Sequence, residues 1–148
     1  MTATINLFTI GFTKKTAQQF FESLKEAGVQ RVIDTRLNNV SQLAGFTKKS
    51  DLPYFLKTIG HIDYVHILEL APTKEILDEY KKNKGEWQVY ERSFLDLLNN
   101  RQIEQKLSPD LFNHACLLCS EAKPDCCHRR LVAEYLREKW GNIEICHL

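Results

Sequence analysis

The chain has 148 residues, 43% of them hydrophobic and 26% charged, with a net charge of +1. That size predicts one domain around one core, and the near-neutral charge excludes a generally basic surface, leaving only a local basic patch as a route to nucleic acid. No apolar run approaches the roughly 18 residues of a membrane span, the opening MTATINLFTIG lacks the basic region and cleavage site of a signal peptide, and an odd count of five cysteines predicts reduced thiols in the cytoplasm.

Apolar runs alternate with helical patterns along the chain. Residues 5–10 read as a first strand. The following helix carries Ala17, Phe20, Phe21, Leu24 and Ala27 at spacings of three and four, with Thr13 as its predicted N-cap and Gly28 as its stop. Residues 29–35, with the β-branched run VIDT, form the second strand. Residues 38–49 are polar and read as a long loop. A short helix over 51–59 is predicted from Asp51 and Pro53, then a third strand over 62–70. Helices over 73–82 and 86–99 are separated by Asn83, Lys84 and Gly85, and one more turn follows at 102–107. Residues 115–119 are the fourth strand. The last helix, over 127–140, has Leu131, Val132, Tyr135 and Leu136 as its stripe and ends at Gly141, and residues 143–147 close the chain as a strand.

Strands joined by helical crossovers predict a mostly parallel sheet of four to five strands covered on both faces, a Rossmann-like three-layer α/β sandwich. In such sheets ligands sit beyond the carboxyl ends of the strands. Leaving the first strand there are Gly11, Phe12 and Thr13. The second contributes Asp34 and Arg36, which project to one side of an extended segment and form either a substrate-orienting pair or a structural salt bridge. Glu69 ends the third strand, and Cys119, Ser120 and Glu121 end the fourth.

The stretch CSEAKPDCCHRR, residues 119–130, concentrates thiols, an imidazole and guanidiniums. Cys116 and Cys119 have a CxxC spacing, but on a strand they point to opposite faces, which makes Cys116 a core residue. The remaining spacing matches no common zinc pattern, so no metal and no cofactor are expected. With Asp125 as N-cap, Cys126, Cys127 and His128 fall in the first helical turn. The positive end of a helix favours acidic residues, and His128, Arg129 and Arg130 there run against stability by some tenths of a kcal/mol per charge. An anion docked at this terminus would meet backbone donors, the dipole and Arg129 together, while Arg130 pairs with Glu134 or Glu138. The same field predicts a lowered pKa for Cys127 or Cys126.

LLCSEAKPDCCHRRLVAEYL, together with TIGFT at 9–13, VIDTR at 32–36, Gly45-Phe46 and the closing ICHL, resembles a bacterial family known as domain of unknown function 488. The family-like positions are Thr13, Asp34, Arg36, Cys119, Glu121, Cys127, His128, Arg129 and His147. Two departures stand out. LNNVSQLAGF, with Gln42, replaces a Pro- and Ser-Arg-rich loop, and LAP replaces a Gly-rich turn after the third strand. The resemblance implies an α/β fold with a shared pocket and no established reaction.

The expected function is an enzyme acting on a phosphate-bearing small molecule, nucleotide or nucleic-acid base. Asp34, Glu121, Cys127 and His128 are its catalytic candidates. Gly11, Thr13, Arg36, Cys119, Arg129 and His147 are its binding candidates. A non-catalytic nucleotide or nucleic-acid binding module, and a thiol redox or metal protein, are the alternatives. The Lys81, Lys82, Lys84, Arg101 and Lys106 cluster reads as a solvated face. Trp87, Tyr90 and Phe94 either pack in the core or cover the pocket.

Overall fold

The structure is a computed structural model and describes residues 3–38, 45–121 and 123–148. Five parallel strands form one sheet in the order β3-β2-β4-β1-β5: β1 (Ile5–Gly11), β2 (Arg31–Asp34), β3 (Asp63–His66), β4 (Ala115–Cys119) and β5 (Ile143–His147). β4 lies between β1 and β2, with Gly11 opposite Cys119 and Asp34 opposite Leu118.

Strand alternation divides the core in two. Ile5, Leu7, Ile33, Ala115, Leu117 and Ile143 face one side, while Ile10, Val32, Cys116 and Leu118 face the other. The first side is covered by α3 (Lys74–Lys81), α4 (Trp87–Arg101) and α7 (His128–Trp140), with Phe94, Leu98, Leu131 and Leu136 fully or almost fully buried against it. The second is covered by α1 (Ala17–Glu26) and α2 (Leu52–Gly60) through Phe20, Phe21, Leu24, Leu52 and Leu56. The result is the three-layer Rossmann-like sandwich expected from the alternation of elements. Cys116 is a core residue on the face away from Cys119, as period-two geometry requires.

The topology sets the place of the crevice. β1 and β2 feed α1 and α2 on one face, whereas β4, between them, feeds α7 on the other. Adjacent strand ends therefore send their chains apart, and the gap opens beyond the carboxyl end of β4.

Element boundaries depart from expectation where side chains find other partners. α1 starts after Thr16, which forms a reciprocal capping box with Gln19, because Thr13 bonds instead to Ser120. The third strand stops at His66. The chain then turns through a 3₁₀ segment, Leu68–Leu70, whose carbonyls at Leu68 and Glu69, with that of Ala71, accept from Arg101 Nη1. Arg101 thus belongs to a tertiary contact rather than to a solvated face. Two short turns follow α4: α5 (Ile103–Lys106), and α6 (Pro109–Phe112), which the sequence reading missed and which Ser108 caps. α7 begins at His128 with Cys127 as N-cap, not Asp125. The loop predicted over 38–49 ends in a 3₁₀ turn, Gly45–Thr47; Gln42 and most of the rest lie outside the described residues. Among the described residues, no helix is long and apolar enough to cross a membrane.

Leu24 is fully buried beneath α1. Leu24→Ala is expected to lower the unfolding free energy by about 2–5 kcal/mol, read as a reduced midpoint at unchanged slope in a urea titration.

Candidate active site

β4 runs straight to the crevice and delivers Cys119 at its last residue. Its Sγ lies 3.4 Å from Nδ1 of His128, the first residue of α7. The other ring nitrogen, Nε2, is 2.7 Å from the carbonyl oxygen of Thr35 and 3.1 Å from its hydroxyl. A carbonyl only accepts, and the Thr35 hydroxyl already gives its hydrogen to Leu118 O at 2.8 Å. Nε2 therefore carries a hydrogen, and Nδ1 is turned to the thiol. Phe94 packs edge-on against the imidazole at 5.4 Å and 76°. A thiol, an imidazole and a group that orients the imidazole are what thiol activation requires. The same donors also suit a borderline-soft metal ion.

Cys127 completes the cluster, with its sulfur, Cys119 Sγ and a His128 nitrogen all within 4.8 Å of one another. The two thiols titrate in opposite directions. A hydrogen bond from Cys127 holds the Cys119 pKa down against burial, helped by backbone N–H groups of Ser120 and Glu121 and by the Arg129 charge. Burial, and the bond given to Cys119, push the Cys127 thiol up. Of the two cysteines for which a lowered value was expected, Cys127 or Cys126, Cys127 shifts the other way. Cys127 sits at the N-cap in an extended conformation (φ −138°, ψ 138°), with its side chain packed inward, so desolvation exceeds the helix field.

Asp34 and Arg36 form a buried bidentate pair, Nε to Oδ1 at 2.9 Å and Nη2 to Oδ2 at 2.8 Å. The Arg36 backbone N–H also donates to Oδ1 (3.1 Å), and the Tyr64 hydroxyl to Oδ2 (2.6 Å). Asp34 thus accepts four hydrogen bonds and does not line the cavity; it orients Arg36. Arg36 does line the cavity. Its Nη2 reaches Thr47 O at 2.7 Å, but its buried Nη1 finds no acceptor among the described residues.

Gly11, Thr13 and Arg129 hold the chain that leaves β4. Thr13 donates to Ser120 O from both its backbone and its hydroxyl. Arg129, fully buried, donates from Nη1 to Glu121 O at 2.5 Å. A Cβ on Gly11 would lie 1.5 Å from that same oxygen, so only glycine fits there. Arg129 is not among the cavity-lining residues; it fills the role of a strut rather than the anion contact expected of it. Arg130 pairs with Glu134 at 3.1 Å, as expected. His147 lies outside the cavity lining as well, with Nδ1 2.6 Å from Thr9 Oγ1.

The cavity encloses about 220 Å³. Of the ten candidate residues, Arg36, Cys119, Glu121, Cys127 and His128 line it, and Gly11, Thr13, Asp34, Arg129 and His147 do not. Four aromatic rings also line it: Phe12, beneath the Arg36 guanidinium, and Tyr80, Trp87 and Tyr90 from α3 and α4, with Trp87 and Tyr90 stacked at 5.0 Å and 21°. Phe94 is core. Tyr80 went unflagged because one tyrosine on a short helix reads as ordinary packing. Lys81 leaves the predicted solvated cluster to pair with Glu121 at 2.7 Å beside the cavity, both side chains half-exposed.

Gly11→Ala is expected to lower the melting temperature and raise protease sensitivity between Cys119 and Arg130, the segment Gly11 lets approach. Burial first, and the Arg129 charge second, hold the His147 pKa below 6.5. Its contribution is therefore present above about pH 6.5 and is lost as pH falls through the folded-state value. His147→Gln is expected to flatten the pH dependence of stability below about 6.5, measured as urea midpoints from pH 7.5 to 5.

No curated protein and no solved structure matches this chain. A family model does, over residues 16–136: Domain of unknown function DUF488. The match takes in Asp34, Arg36 and the whole 119–130 stretch, and leaves the Thr9–Thr13 segment and His147 outside it. With more than half its length covered, the chain belongs to the DUF488 family.

Proposed function

We propose that the protein is an enzyme whose cavity takes a small anionic ligand bearing a flat ring, of the nucleotide or nucleobase class. The observation that carries this reading is Arg36 Nη1. A guanidinium hydrogen left without an acceptor in a buried position is a standing energetic cost, and an anionic oxygen entering the cavity removes it. Asp34 and Tyr64 hold the guanidinium so that little is lost in ordering it on binding. Trp87, backed by the stack of Tyr90 and Phe94, and Tyr80 provide the aromatic surface for a planar ring, an interaction worth about 1–3 kcal/mol per base. Cys119 and His128 border the same space and supply the reacting centre, with Glu121 and Lys81 beside it. Five free thiols fit a reducing compartment, and we assign the protein to the cytoplasm on that ground.

Nucleotides, nucleobases and phosphate esters at millimolar concentration test the reading by thermal shift. A true ligand at a hundred times its Kd stabilises the fold by about 2.7 kcal/mol. Arg36→Gln is expected to weaken that ligand at least tenfold, and Trp87→Ala by about 1–3 kcal/mol. Absence of any shift across the set would overturn the proposal. Conversion of the ligand by the wild type, abolished in Cys119→Ser with binding retained, separates an enzyme from a binding module; binding with no conversion leaves only the module.

A further inference from the structure

We infer that Cys119, Cys127 and His128 form a binding site for one zinc-class divalent ion, with the fourth coordination position opening into the cavity. Each residue offers one donor atom, and the three lie within 4.8 Å of one another. An ion about 2.3 Å from sulfur and about 2.0–2.1 Å from nitrogen, at tetrahedral angles, places sulfur and nitrogen about 3.5 Å apart. Cys119 Sγ and His128 Nδ1 are 3.4 Å apart before any ion is added.

The surroundings fit the same assignment. A metal-ligating histidine donates its second N–H to a carbonyl or carboxylate, which fixes the ring. Here Nε2 is held at 2.7 Å by Thr35 O, and Nδ1 faces Cys119 Sγ. Two sulfurs and an imidazole select borderline-soft ions over magnesium or calcium. Binding forms two metal–sulfur bonds and one metal–nitrogen bond and releases the thiol protons to solvent. A divalent ion with two thiolates is neutral, which a buried site tolerates. Three protein ligands are the number that leaves a position for water or substrate. All three residues line the cavity that also holds Arg36, so an anion placed by Arg36 shares that cavity with the open position. The expectation of no metal rested on a ligand spacing that matches no common zinc pattern; the fold brings the end of β4 and the start of α7 together regardless of that spacing, and Cys126 is exposed and need not take part.

The inference uses the cavity of the proposed function, but the two fail separately. The test is a titration of the reduced, chelator-stripped full chain with Co²⁺, followed by Zn²⁺. Thiolate-to-cobalt charge transfer and tetrahedral d–d bands are expected to saturate at one equivalent and to vanish when Zn²⁺ displaces the cobalt. Cys127→Ser and His128→Gln are expected to weaken binding at least tenfold, while Cys126→Ser leaves it unchanged. Circular dichroism checks that each variant is folded, and the wild-type titration decides without them. No thiolate band at one equivalent, or a band lost in Cys126→Ser and kept in Cys127→Ser, would overturn the site. Arg36→Gln is expected to keep the cobalt spectrum. A silent cobalt titration with nucleotide stabilisation intact removes the metal alone.

Discussion

The molecule depends on how the chain is held as it leaves β4. Arg129 reaches back from the start of α7 to Glu121 O, Thr13 grips Ser120 O from the other side, and Gly11 leaves room for the backbone to pass. A fully buried guanidinium is costly to desolvate, and the bond to Glu121 O offsets part of that cost. Here it binds the end of the central strand to the beginning of the final helix. Cys119 and His128, nine residues apart, meet because that turn is closed. Loosening it would separate the thiol from the imidazole before disturbing either core.

A second buried guanidinium does a different job. Arg36 is anchored on one edge by Asp34 and left open on the other. Natural interiors satisfy nearly all their polar groups, so an open valence beside a cavity marks a place where a partner is missing. The two arginines share burial and chemistry and differ in what surrounds them. Arg129 is spent on the backbone, whereas Arg36 keeps a donor for whatever enters.

The thiols follow the same logic of surroundings. Cys116, one face away, is packed as a hydrophobe, and burial pushes its pKa up. Cys119 keeps a lowered pKa despite equal burial, because a neighbouring thiol and backbone N–H groups donate to it. Sequence proximity to a helix start pointed to Cys127 or Cys126 instead. The helix field acts over about one turn, and the cost of taking a thiolate out of water exceeds it once the sulfur points inward.

The pattern of apolar residues by itself determined the α/β class, the parallel sheet, the bounds of β4 and β5 and the buried stripes of α1 and α7, because periods of two and 3.6 are written locally in the chain. Strand order aside, it gathered ten candidates at one sheet edge, since strand ends in such a fold share a rim, but it did not separate Arg36, Cys119, Glu121, Cys127 and His128, which line the cavity, from Gly11, Thr13, Asp34, Arg129 and His147, which do not. Only the tertiary structure decided the strand order, the aromatic lining of the cavity and the division of labour between Arg36 and Arg129. Those depend on contacts between segments up to about a hundred residues apart, such as Thr13 with Ser120 or Thr35 with His128. Local periodicity carries no record of which distant carbonyl will stand in front of a given guanidinium, and it is that carbonyl which makes one arginine a strut and leaves the other able to bind.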